Sequence, residues 1–213
     1  MFKSRFQAGQ LLADRLSRFR GQPSVLVLGL ARGGVPVARA FADALGVSID
    51  VFLVRKLGVP WQPELGFGAV AEGGICVLDS ALIQDLRLTR EDIEEVVARE
   101  EREVQRRSRI YRGARPSADV AGRDVIVVDD GMAMGSTMLA AVRALQKRHP
   151  RRIIVAVPVG SRASCEAVSA EADEVVCLYS PEPFYSVGTW YEDFKEVDDS
   201  AVQDALATVP ASH

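Results

Sequence analysis

The stretch VIVVDDGMAMGSTM, Val125 to Met138, carries the architecture of the chain. Val125 to Val128 form a continuous β-branched run bounded by turn residues, the pattern of a strand buried on both faces. Asp129 and Asp130 then fall at the carboxyl end of that strand, and Gly131, Ala133, Gly135, Ser136 and Thr137 lead into a helix. Backbone N–H groups in such a loop converge on an anion at the helix N-terminus. Two carboxylates beside an anion cradle suit a sugar phosphate: the acids accept from ribose hydroxyls while the amides hold the phosphate. The same residues also suit a plain Asp-rich turn at a strand end.

Upstream, Val25 to Leu28 is a second buried run, followed by Gly29, Leu30, Ala31, Arg32, Gly33 and Gly34. A helix from about Val35 to Leu45 leads to a strand over Ile49 to Val54, ended by Arg55 and Lys56. Short connections in a βαβ unit imply parallel pairing and a right-handed crossover. Downstream, Leu139 to Leu145 continues the helix, and Arg152 to Val157 is another buried strand. Ser161 to Ala170 is helical and Glu174 to Leu178 supplies the last strand. Five strands with helices between most of them predict a doubly wound, five-stranded parallel α/β sheet. In the order 2-1-3-4-5 the crevice opens between the first and third strands, where the winding reverses. The loop with Arg32, Gly33 and Gly34 would then face the loop from Asp129 to Thr137.

The other segments are less regular. Leu11, Leu12, Leu16 and Phe19 give an N-terminal helix an apolar face. Seven Gly or Pro residues between Leu57 and Gly74 predict a loop, with a short ribbon around Phe67 to Ala71 and Ile75 to Leu78 as its partner. Thr89 and Asp92 open a charged helix running to about Tyr111, which reads either as a solvated face or as a dimer arm or cover. Five of the fourteen aromatic residues fall between 184 and 194. Such a tail either caps a sheet edge or grips a flat ligand. A short acidic helix, Asp198 to Ala207, follows.

A chain of 213 residues fits one α/β domain. Apolar content of 48% and charged content of 26% exclude a disordered chain. A net charge of −3 gives no reason to expect nucleic acid as a partner. No stretch approaches ~18 consecutive apolar residues, so no membrane span is expected. The N-terminal segment lacks an apolar signal core, which points to the cytoplasm. Cys76, Cys165 and Cys177 lack metal-ligand spacing and read as buried free thiols in a reducing cytosol.

Val125 to Val128, Asp129, Asp130, Gly135 and Thr137 resemble the diphosphoribosyl-binding motif of type I phosphoribosyltransferases. Ala133 and Met134 depart from it, since both positions usually carry a hydroxyl. The 6-oxopurine branch typically has an Asp proton acceptor where Ala133 stands, which counts against that substrate class. Arg32, Gly33 and Gly34 resemble the family's pyrophosphate loop, which commonly contains a non-proline cis peptide. Arg55 and Lys56 resemble the Arg-Lys of the orotate and adenine branches, just before a mobile catalytic loop. RKLGVPWQPELGFGAVAEGG (Arg55 to Gly74) and PEPFYSVGTWYEDF (Pro181 to Phe194) are most similar to bacterial predicted phosphoribosyltransferases of unassigned acceptor.

The resemblance implies one phosphoribosyltransferase domain over 1–213, with a mobile loop and long charged helical insertion at 57–120 and a C-terminal hood at 179–197. It implies an enzyme of nucleotide metabolism that moves ribose 5-phosphate from phosphoribosyl diphosphate (PRPP) to a ring nitrogen of a nucleobase-like acceptor and releases pyrophosphate. Arg32, Lys56, Asp129 and Asp130 would be catalytic. PRPP would further touch Gly33, Gly34, Arg55, Gly131, Met132, Ala133, Met134, Gly135, Ser136 and Thr137. Phe184, Trp190 or Tyr191 would face the acceptor. Mg²⁺ would be held mainly by substrate, near Asp129 and Asp130, with no firm protein-built metal site. A homodimer stays open, and the alternative is a non-catalytic PRPP-binding regulatory protein.

Overall fold

Apolar runs that bury both faces become the central strands, as their composition requires. The computed structural model describes residues 1–207. Its elements are α1 (Arg5–Arg15), β1 (Val25–Leu30), α2 (Gly34–Leu45), β2 (Ser48–Phe52), β3 (Val54–Val59), β4 (Gln62–Ala71), β5 (Ile75–Leu78) and α3 (Ser80–Asp85). There follow α4 (Arg90–Arg112), β6 (Asp124–Val128), α5 (Ser136–Gln146), β7 (Arg152–Val159), α6 (Arg162–Ser169), β8 (Glu174–Tyr179) and α7 (Asp199–Ala207). A parallel five-stranded sheet has the order β2-β1-β6-β7-β8, the expected doubly wound arrangement.

Alternation along the strands sorts side chains into two layers. Leu26 and Leu28 of β1, Val125 and Val127 of β6, and Ile153 and Val155 of β7 pack with Met138, Ala141 and Leu145 of α5. Val25, Val27, Ile126, Val128 and Ile154 point the other way, onto Leu12 from α1, Leu16 just after it, and Phe41 and Leu45 from α2. Leu11, expected on the buried face of α1, is 38% exposed.

The chain departs from the sequence reading after β2. Arg55 and Lys56 do not end a strand of the large sheet. They lie within β3, which pairs antiparallel with β4 in a separate sheet of order β3-β4-β5. The expected ribbon of Phe67 to Ala71 with Ile75 to Leu78 forms, but β4 begins earlier, at Gln62, and pairs with β3 across residues expected as loop. The glycines of this sheet mark close backbone approach: a Cβ on Gly58 would meet the Pro63 carbonyl at 2.5 Å, and one on Gly68 the Val77 carbonyl at 2.4 Å. The capping box of α4 forms as expected, with Thr89 Oγ1 accepting from Asp92 N at 3.1 Å and Asp92 Oδ2 accepting from Thr89 N at 3.0 Å. Val96, Val104 and Tyr111 of that helix are buried against Leu57, Phe67 and Val70 of the small sheet and Val202 and Leu206 of α7.

Arg112, at the end of α4, joins the two sheets. Its guanidinium donates to Asp50 of β2 at 3.0 and 3.1 Å, to Glu72 just beyond β4 at 2.7 and 3.1 Å, and to the Val51 carbonyl. Arg112 and Glu72 are both buried. Burial pushes the Glu72 carboxyl above its usual range despite the Arg112 charge. The three cysteines are unpaired, as expected, but half-buried. No helix among the described residues is long and apolar enough to cross a membrane.

Candidate active site between β1 and β6

The loops after β1 and β6 meet directly at the reversal of winding. A Cβ on Gly33 would lie 2.1 Å from Asp130 Oδ2, and one on Gly34 would lie 2.6 Å from the Val128 carbonyl. Only glycine leaves this much room for the acidic loop. The Ala31–Arg32 peptide is cis. The predicted pyrophosphate loop and the predicted ribose-phosphate loop are therefore one continuous surface.

Asp129 Oδ1 accepts from the Asp130 amide at 2.9 Å. Both acids keep partial contact with solvent, yet the surrounding protein withdraws them from water and raises both carboxyl pKa values. Asp129 rises further because the Asp130 charge faces it, whereas Arg5 offsets part of the rise at Asp130. Arg5 Nε donates to Asp130 Oδ2 at 2.9 Å, and Tyr191 donates its hydroxyl to the Asp130 carbonyl at 2.6 Å.

Gly135 takes φ +72° as N-cap of α5 and provides no side-chain cap. The first amides of the helix, from Ser136 and Thr137, thus lack helical acceptors and open toward an incoming anion. The Ala133 carbonyl accepts hydroxyl bonds from Ser161 at 2.7 Å and Ser164 at 2.6 Å. Met132 bridges to Gly160 and donates its amide to Val159 at 2.9 Å. Gly131 abuts Val187 of the tail, where an added Cβ would lie 2.5 Å from Val187 Cγ1. Met134 is 78% exposed, so it fills no core space.

The expected cations are split between two clefts. Arg32 shares a cavity of about 430 Å³ with Arg5, Gly33, Asp130, Phe194 and Glu196, and pairs with Glu196 at 2.7 Å. Arg55 and Lys56 line another of about 320 Å³ with Ala31, Thr137, Arg99 and Arg107. There Arg55 pairs with Glu100 at 2.9 Å, and Lys56 donates to the Glu64 carbonyl at 2.8 Å. Ala31 lines this cleft, whereas its neighbour Arg32 lines the other.

The tail folds back over the sheet end together with the N-terminus. Phe2 bridges to Tyr191, and its amide donates to the Trp190 carbonyl at 2.7 Å. Trp190 stacks on Tyr179 with ring centroids 6.4 Å apart, and Phe184 packs half-buried in the same cluster. Tyr191 is buried, with its hydroxyl committed to the Asp130 carbonyl. Sequence reasoning missed Arg5, Arg99, Arg107, Ser161 and Ser164. The arginines sit in charged helices with no local distinction. The Ser161/Ser164 pair has N-cap spacing at a helix start, a signal of capping but not of its contact with Ala133.

Comparison with known proteins agrees with this geometry. Residues 67–190 match the family model for the phosphoribosyl transferase domain. Proteins from two strains of Mycobacterium tuberculosis, each named "Putative phosphoribosyl transferase", are 40% identical over 202 residues. That alignment covers 95% of this chain and 45% of theirs, so the chain spans about half the length of these curated relatives. The crystal structure of a Thermus thermophilus protein, TT1426, is 44% identical, with a TM-score of 0.86 over 97% of both chains. The chain belongs to the phosphoribosyl transferase domain family.

Proposed function

We propose that the chain is an enzyme that transfers ribose 5-phosphate from PRPP to a ring nitrogen of a nucleobase-like acceptor, releasing pyrophosphate. The observation that carries this reading is the direct apposition of Gly33 and Gly34 to Asp129 and Asp130, with the open α5 N-terminus alongside. Asp129 and Asp130 accept from the ribose 2- and 3-hydroxyls and offset positive charge that develops on the ring. The amides of Ser136 and Thr137, with their hydroxyls, hold the 5-phosphate. Arg55 and Lys56 stabilise the departing pyrophosphate, and Arg32 reaches it on exchanging Glu196 for the ligand. Phe184 and Trp190 offer apolar faces to the acceptor, while Tyr191 steadies the acidic loop.

Among the described residues no group of three or more His, Cys, Asp and Glu side chains gathers into a metal cage. Two adjacent carboxylates nevertheless suit Mg²⁺, which keeps waters and takes many ligands from substrate phosphates. Substrate oxygens would hold it mainly, near Asp129 and Asp130, and the ion would screen pyrophosphate charge. A screen of free nucleobases for pyrophosphate release, with a hydrolysis control, tests the proposal. Tight PRPP binding without turnover of any base would favour the regulatory alternative.

Two outcomes are expected at individual residues. Lys56→Ala lowers turnover more than it weakens ribose 5-phosphate binding, since that ligand lacks pyrophosphate. Equal losses, measured by steady-state kinetics and calorimetry, would make Lys56 a general phosphate contact. Met134→Thr restores a hydroxyl beside the phosphate loop. A bond to a charged acceptor contributes ~1.5–3 kcal/mol, so PRPP and ribose 5-phosphate should both bind roughly ten- to a hundred-fold tighter. Because Met134 is exposed, the melting temperature should hold. Unchanged affinity for both ligands would show that residue 134 does not reach the phosphate.

A further inference from the structure

We propose that Arg5 is a positioning residue, which orients Asp130 for the vicinal hydroxyls of a pentose 5-phosphate. The inference rests on the ribose reading of Asp130. Arg5 lies outside the segment 67–190 that matches the family model, in the first turn of α1. Its Nε and Nη2 both contact Asp130 Oδ2, at 2.9 and 2.8 Å, while Nη1 donates to the Lys195 carbonyl at 2.8 Å. The guanidinium carbon stands 4.0 Å from the Phe194 ring centroid and 6.0 Å from that of Tyr191. The side chain is 12% exposed.

These contacts fix one oxygen and spare the other. Oδ2 is held between the guanidinium and Gly33, whose added Cβ would approach it to 2.1 Å but would stay 3.3 Å from Oδ1. A carboxylate clamped through Oδ2 presents Oδ1 in one orientation, so little rotamer freedom is lost when a ligand hydroxyl arrives. Docking of α1 does not depend on the guanidinium. Ala8, Leu12 and Ala13 are fully buried, and Phe2 is tied to the tail by main-chain bonds on both sides. The same guanidinium touches Phe194 and Lys195, so it also sets the tail's position relative to the acid. Among the described residues, Asp129, Tyr191, Arg32, Lys195 and Glu196 are the other charged or titratable groups around this carboxylate, and none of them replaces the fork on Oδ2.

Calorimetric titration of the whole chain with ribose 5-phosphate and with inorganic pyrophosphate tests this. The variants are Asp130→Asn, Arg5→Ala, Arg5→Lys and the double variant Arg5→Ala/Asp130→Asn, each with its melting temperature. Arg5→Ala should weaken ribose 5-phosphate roughly ten-fold, the scale of one bond to a charged group, and leave pyrophosphate affinity unchanged. The double variant should bind ribose 5-phosphate no more weakly than Asp130→Asn alone, because both changes remove one interaction. Arg5→Lys keeps the charge without the fork. It should fold if Arg5→Ala does not, and should fall between wild type and Asp130→Asn. Full affinity in Arg5→Lys, or losses that add in the double variant, would overturn the positioning role. Loss in Asp130→Asn with none in Arg5→Ala would overturn it while leaving the ribose reading intact. Full affinity in Asp130→Asn would overturn the ribose reading and this inference together.

Discussion

Replacing Asp129 and Asp130 together by Asn is expected to weaken PRPP binding by about 3 to 6 kcal/mol, taking ~1.5–3 for each bond to a charged group. That corresponds to roughly two to four orders of magnitude in Kd. The acids are also unfavourably placed in the free protein: burial raises both carboxyl groups above their usual range, and the Asp130 charge raises Asp129 further. Asp129→Asn alone should therefore reduce affinity without lowering the melting temperature. A site that costs stability and returns it as binding has this signature. A merely structural Asp-rich turn would give the reverse, a destabilised variant with unchanged affinity. Calorimetry and thermal denaturation on the same samples separate the two.

Arg112→Ala should produce the largest loss of stability, about 3–5 kcal/mol, because it strands a buried partner charge. Among the described residues Glu72, itself 6% exposed, then keeps only the Arg148 guanidinium, at 3.5 Å, as an ion-pair partner. In a chain of this size that loss lowers the melting temperature by roughly 6–20 °C. The pH dependence has a definite sign. With Arg112 gone, the folded pKa of Glu72 moves further above its unfolded value. The protonated form then stabilises the fold at low pH, and that contribution is lost as pH rises through the folded pKa. The deficit of the variant should thus shrink on acidification toward the unfolded carboxyl pKa. Arg112→Met/Glu72→Gln, which leaves no unpaired charge between these two residues, should recover part of the loss. A deficit independent of pH and unrelieved in the double variant would assign the effect to packing alone.

The large sheet was legible because its strands bury both faces. That demand forces apolar runs at 25–28, 125–128 and 153–157, and the short βαβ connections implied their parallel pairing. The acids and glycines of the two loops were legible because each performs a local task at a strand end. The break between β2 and β3 was not. It occupies the single residue Leu53 and carries no Gly or Pro. It arises because Val54 pairs with Ala71, a partner that the chain reaches only by folding back in three dimensions. Glycines 58 and 66 were misread as loop for a related reason, while Gly68 fell in the expected ribbon. In a loop glycine frees the backbone, whereas here Gly58 and Gly68 let another strand come close. Arg5 left no trace because its partner lies 125 positions away.

The hydroxyls of Ser161 and Ser164, seated on the Ala133 carbonyl, place part of the definition of the proposed phosphate cradle outside the cradle. They stand 28 and 31 residues downstream, on a turn behind the loop. A buttress of this kind separates two properties that a short motif normally joins: the curvature of the backbone and the chemistry it shows to a ligand. Ala133 and Met134 carry no hydroxyl, and the backbone at Ala133 is held instead by the two serines. Substitution at 133 or 134 should therefore leave the path of the loop unchanged while the two serine bonds persist. Redesign for a different anion has its free positions at 133 and 134 and its fixed ones at 161 and 164.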